Sequence, residues 1–215
     1  NGKFAGGNGG IAGGEREGGT HQFPEDIGIL RTMPNFTILV PADAGQAKQA
    51  CMAAAAIPGP VYIRLGSGRD PVFYDNDQPF VPGKINIISD SGHDIALFGC
   101  GILLGRLQEA AALLSAEGIG VTLVEVHTIK PLDVEGITAV LARCGAAVTA
   151  EDHNIIGGLG SAIMETAAEN CPVPIARIGL RDTFAGSGLP GELLDYYKMS
   201  VADIVQAAKD TIKRK

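Results

Sequence analysis
The sequence predicts an α/β chain: a small α/β unit first, then a mostly parallel five-stranded sheet with one antiparallel strand. Three observations carry this. Short apolar runs alternate with longer amphipathic segments through the second half, the pattern of strands joined by helices on both faces of a parallel sheet. Proline and glycine clusters punctuate the alternation where turns belong. Apolar residues make up 46% of the 215 residues and charged residues 19%, so the chain can bury a real core and is not disordered.

The elements follow in order. Lys3-Phe4-Ala5 reads as the end of a strand. Glycine then recurs at 6, 7, 9, 10, 13, 14, 18 and 19, which fits neither helix nor sheet. That stretch reads either as a loose terminus or as a loop presenting His21, just before a helix start, where catalytic groups often sit. Pro24 suits a first helical turn, and Glu25 and Asp26 suit its positive dipole end. Pro34 stops this helix, and Phe36 to Val40 reads as a buried strand. Asp43 caps a helix from Ala44 to about Ile57. Pro58-Gly59-Pro60 breaks it, and the strand Val61 to Leu65 follows. Arg64 and Arg69, beside Gly66 and Gly68, are either an anion site at a strand end or two solvated cations.

Pro71, Pro79 and Pro82, among Asp and Asn, mark a linker at 76–83 between domains 1–75 and 84–215. In the second domain, strands are expected at Lys84 to Ile88, Asp94 to Phe98, Gly120 to Val126, Ala146 to Ala150 and Pro174 to Ile178. Helices are expected at Leu103 to Glu117, Val134 to Arg143, Gly160 to Glu169, Gly191 to Tyr197 and Ala202 to Lys213. Leu103, Leu107, Ala110 and Leu114 form one stripe, and Gly118 closes that helix. The tight Asp90-Ser91-Gly92 turn predicts a hairpin between the first two strands, which makes one of them antiparallel.

Gly157-Gly158-Leu159-Gly160 opens a helix after a strand but is not GxGxxG, so it reads as close strand–helix packing rather than a dinucleotide site. Glu151, Asp152 and His153 lie at a sheet's carboxyl edge; they read as acid–base machinery or, preferably, a subunit contact. His93 and His127 read as structural. Net charge of −7 and a pI near 5.0 argue against a nucleic-acid or anionic-membrane surface. No apolar run reaches the about 18 residues a membrane span needs. The four cysteines, with no CxxC spacing, predict reduced thiols and a cytoplasmic protein. No residues show metal-ligand spacing.

The run Gly14-Glu15-Arg16-Glu17-Gly18-Gly19-Thr20-His21-Gln22, then Leu30-Arg31, Pro34-Asn35 and Pro41-Ala42-Asp43, resembles the transketolase family. Gly59 to Gly66, Lys130-Pro131-Leu132-Asp133, Glu151-Asp152-His153-Asn154 and Gly157 to Ser161 resemble it too, above all the C-terminal subunit of split transketolases. The resemblance implies the latter part of a pyrimidine-binding domain at 1–75 and a transketolase C-terminal domain at 84–215. It implies transfer of a two-carbon ketol unit between sugars with thiamine diphosphate and Mg or Ca. His21 matches a histidine near the reactive carbon and the sugar; a neutral imidazole there can relay a proton or hold a hydroxyl.

Glu17 stands where most members have an aspartate that contacts substrate hydroxyls. Asn8 stands where most have a histidine; it can donate a hydrogen bond but brings no charge. Arg64 or Arg69 matches the arginine that binds donor phosphate. No cofactor-binding or metal residue is assigned to this chain. The family's activating glutamate, aromatic pocket and diphosphate-binding domain are expected upstream or on an N-terminal partner subunit. The chain alone is therefore expected to be inactive, with exposed apolar surface on its first half and self-association through its C-terminal domain. A non-catalytic dimerisation or regulatory fragment is the other class of reading. A portion of 1-deoxyxylulose-5-phosphate synthase or of a 2-oxo-acid dehydrogenase beta subunit shares the architecture.

Overall fold
The computed structural model describes residues 1–12, 18–66, 71–74 and 79–215. Two sheets form. In the first, β1 (Lys3–Gly6) and β2 (Thr37–Leu39) both run parallel to β3 (Val61–Arg64) between them. The helix α1 (Asp26–Arg31) precedes β2, and α2 (Ala44–Ala56) links β2 to β3. Asp43 caps α2 as expected, its side chain accepting the Gln46 N–H at 2.9 Å.

The second sheet holds β4 (Asn86–Asp90), β5 (Ile95–Gly99), β6 (Val121–Glu125), β8 (Ala147–Asn154) and β9 (Ile175–Leu180), in the order β4-β6-β5-β8-β9. Only β4 is antiparallel. Helices α3 (Leu103–Ala116) and α7 (Val201–Ile212) cover one face; α4 (Val134–Cys144) and α5 (Leu159–Asn170) cover the other. A short helix, α6 (Pro190–Tyr196), precedes α7. The period-2 geometry of a strand is visible in β5: Leu97 faces α3 and α7, while Ala96 and Phe98 face α4 and α5.

The expected hairpin does not form. β4 pairs with β6, and β5 lies on the far side of β6. Burial explains the exchange. Every β5 residue is buried, and a strand apolar on both faces belongs in the middle of a sheet. The sequence Asn86–Asp90 is half exposed and takes the edge. The Asp90-Ser91-Gly92 bend steps across the start of β6, where Ser91 N–H donates to Val121 O and Asp94 N–H to Gly120 O.

A strand that the sequence did not announce, β7 (Thr128–Lys130), leaves the second unit and adds antiparallel to β2. The two units also share a core: Ile27, Ile38 and Tyr62 pack in one cluster with Phe98, Val126 and Leu159. Exposed apolar side chains do occur in the first half; Phe4 on edge strand β1 is 53% exposed and stacks on Phe36. Among the described residues no helix is long and apolar enough to cross a membrane.

Candidate active site at the join of the two units
Three strands set the site's floor. Beyond β1 and β3 the parallel pairing continues, Asn8 N–H donating to Gly66 O and Gly9 N–H to Leu65 O. Asn8 itself sits in the left-handed region at φ 56°. The chain then crosses β8. Asp152 accepts the N–H groups of Ile11 and Ala12 at 2.9 and 3.1 Å. Only glycine fits next to it: a Cβ on Gly10 would lie 2.2 Å from Asp152 Oδ2, and Gly10 has φ 90°.

Under this loop lies a buried charge cluster. Asp26, at the start of α1, accepts Tyr62 O–H at 2.7 Å and Arg64 Nε–H at 2.8 Å. Arg64 Nη2 donates to Asp152 O at 2.8 Å. Burial alone raises the Asp26 carboxyl, but Arg64 and Tyr62 outweigh it and hold it below its usual value. Arg64 is only 6% exposed, so the arginine expected at a donor phosphate is tied into the fold through these two nitrogens.

His153 completes the cluster. α1 has no side-chain cap of its own from Glu25. The His153 Nε2 instead lies 3.2 Å from Gly28 N and accepts its N–H, while Nδ1 faces Asn154 O at 2.5 Å. That pairing requires the neutral ring with its proton on Nδ1. Burial, aided by Arg64, pushes its pKa down to about 4. Glu151 does the same service for α5, accepting Leu159 N–H at 2.6 Å and Gly160 N–H at 2.8 Å. Burial pushes its carboxyl up to about 7 against those two donors. So Gly157 to Gly160 is a close strand–helix joint: a protein carboxylate occupies the helix start, where a dinucleotide phosphate would need to sit.

Glu151, Asp152 and His153 are 1%, 2% and 0% exposed. Asp152 and His153 join the two units within the chain and Glu151 caps α5, which corrects the expected subunit contact. His127 is buried against Phe80, as a structural histidine should be, and His93 pairs with Asp90 at the surface.

Above the cluster are a cleft and a turn. A cleft of about 410 Å³ opens at the carboxyl ends of β1, β2, β3 and β5; Gly7, Gly9, Pro41, Asp43, Arg64 and Gly101 line it. His21 does not line it. It stands on an exposed turn closed by its own N–H to Gly18 O at 2.8 Å. Thr20 Oγ1 lies 2.9 Å from His21 Nδ1, which leaves Nε2 as the nitrogen on offer among the described residues. The structure thus brings Asn8 and Arg64 to neighbouring strand ends and holds His21 apart, across Gly9 to Ala12. Glu17 and Arg69 lie outside the described residues. Sequence reasoning missed Asp26 as an ion-pair partner and Asp152 as a loop anchor. The first read as a dipole partner only; a helix-start carboxylate in a one-sided apolar segment gives no sign of an arginine 38 positions later.

Models of the transketolase pyrimidine-binding domain and of the transketolase C-terminal domain match residues 7–69 and 83–204. The chain belongs to the transketolase family. It is 40% identical over 94% of its length to a 6-deoxy-6-sulfo-D-fructose transketolase subunit of a Clostridium species, and spans 62% of that relative. It is 37% identical to a solved split-gene transketolase described as an inactive beta4 tetramer, with a TM-score of 0.87 over 99% of this chain and 66% of that one. A 1-deoxy-D-xylulose-5-phosphate synthase of Symbiobacterium thermophilum is 30% identical over 92% of this chain and 31% of its own. The chain thus spans about two thirds of the split transketolase chains it matches, and corresponds to their C-terminal subunit. Among the described residues no three His, Cys, Asp or Glu side chains gather as metal ligands.

Proposed function
We propose that the chain supplies the latter part of the pyrimidine-binding domain (1–75) and the C-terminal domain (84–215) of a transketolase that moves a two-carbon ketol unit between sugars. Thiamine diphosphate and its Mg or Ca ion are held by an N-terminal subunit or domain, and the C-terminal domain contributes to self-association. Four free cysteines accord with a reducing, cytoplasmic setting. The observation that carries this reading is the seat of His21: an imidazole on an exposed turn, its Nδ1 engaged by Thr20, at the join of two transketolase-type units.

There Nε2 can accept a sugar hydroxyl's hydrogen bond or carry its proton. Arg64 is assigned to holding the strand ends, with Asn8 beside it donating to substrate oxygens. Glu17 takes substrate hydroxyls, and Arg69 takes an anionic group at the far end of the donor sugar. One relative's named substrate, a 6-sulfo sugar, has such a group. In the complex of the full-length chain with its N-terminal partner, His21→Ala should lower turnover roughly 100-fold or more; unchanged turnover rejects the site. Arg69→Ala should raise KM for phosphorylated or sulfonated donors and leave uncharged donors alone.

A further inference from the structure
The loop 181–189, between β9 and α6 of the C-terminal unit, lies directly against the His21 turn. Gln22 is one joint. Its Nε2 donates to Ile11 O at 3.2 Å and to Gly186 O at 3.1 Å. Two carbonyls on one nitrogen fix which way the amide points. Gly186 is held in turn: its N–H donates at 2.8 Å to the hydroxyl of Tyr197, at the end of α6.

Gly18 is the second joint. A Cβ there would lie 1.9 Å from Ser187 Oγ, 3.1 Å from Ser187 Cβ and 3.5 Å from Ser187 Cα. The backbone of Gly18 is outside the left-handed region, so Ser187 is what an added side chain would meet, and its hydroxyl and Cβ would have to move. Gly18 O also accepts the His21 N–H, so wherever Gly18 rests, His21 follows.

We propose that loop 181–189 is a positioning element of the active site: Gln22, Ser187 and Tyr197 set where the His21 imidazole stands. The proposal rests on the transfer reading of His21 given above, and it gives the C-terminal domain a part in catalysis without a contact to substrate. A displacement of about 1 Å at a reacting group can lower a rate by 10²-fold.

The test is a size exchange across the joint, in the complex with the N-terminal partner. Gly18→Ala should lower kcat roughly 10- to 100-fold with little change in KM. Adding Ser187→Gly removes the colliding atoms and should return kcat to the level of Ser187→Gly alone. Gln22→Glu, which cannot donate to two carbonyls, should lower kcat in the parent but add nothing to His21→Ala. Failure of the exchange to rescue, or an equal cost of Gln22→Glu with and without His21, overturns the proposal. The His21 ring resonances of the isotope-labelled chain give a readout free of turnover. They should shift in Gly18→Ala and return in the double variant; unmoved resonances overturn the positioning role. If His21→Ala leaves turnover intact while the resonances behave as stated, the transfer reading is what fails.

Discussion

At the scale of single residues, the join is governed by buried titratable groups and by the partners that set their protonation. Asp26→Asn would leave Arg64 buried beside a neutral amide, and the loss of one partner from a buried pair costs about 3–5 kcal/mol. Tyr62→Phe removes one hydrogen bond and should cost about 1–2 kcal/mol, so chemical denaturation of the two variants should rank them clearly. His153 makes a pH prediction. Its folded value of about 4 lies below the usual 6.5, so the unfolded chain binds the extra proton between these limits. Its contribution is complete above about pH 6.5 and is lost as pH falls towards 4. Glu151 runs the other way: raised to about 7 from 4.5, it favours the fold at the acid end of that window and weakens it as pH rises through it. His153→Gln keeps an acceptor for Gly28 but does not titrate, so comparison with it isolates the imidazole's titration together with its coupling to Glu151, whose Oε2 lies 3.7 Å from Nδ1. Between pH 7 and pH 4 the parent should lose stability relative to this variant, by a difference approaching about 3 kcal/mol; a constant difference would refute the neutral-cap role.

At the scale of elements, caps do more than end helices. Ser200 and Asp203 form a reciprocal capping box on α7, and Ser200→Ala should cost about 1 kcal/mol. Asp43 caps α2 and also accepts the N–H groups of Phe73 and Tyr74 at 3.1 and 2.9 Å, so Asp43→Ala should cost clearly more, as paired thermal melts would show. The Asp43 cap, the Leu103 stripe and the Gly118 stop were legible in the sequence because their signals lie within a turn or two of the element they shape. The strand–helix alternation gave the sheet for the same reason. What stayed hidden is non-local. The cap of α1 comes from a histidine 125 residues away. The partner of β4 was decided by which strand is apolar on both faces, a competition that no tight turn reveals. β7 is three residues long and has no pattern of its own; it exists because β2 offers an open edge. Of the site, the histidine turn could be read directly, whereas the tie that takes up Arg64 could not.

At the scale of the whole molecule, the two units are laced together. Val40 N–H donates to His127 O and Asn154 N–H to Pro24 O, while Lys130 Nζ satisfies the Arg31 and Met33 carbonyls at the end of α1. A shared core lies beneath these bonds. The chain should therefore unfold in one transition, with far-UV circular dichroism and tyrosine fluorescence falling together; two separate steps would show that the lacing is weak. The return of β7 to the first sheet has a bearing on gene architecture. A polypeptide severed in the connector between the two units would strand the outer strand of one sheet on the other product, leaving a bare edge on one and an unpaired ribbon on the other. Evolution or an engineer dividing such an enzyme into separately translated chains has to place the break elsewhere.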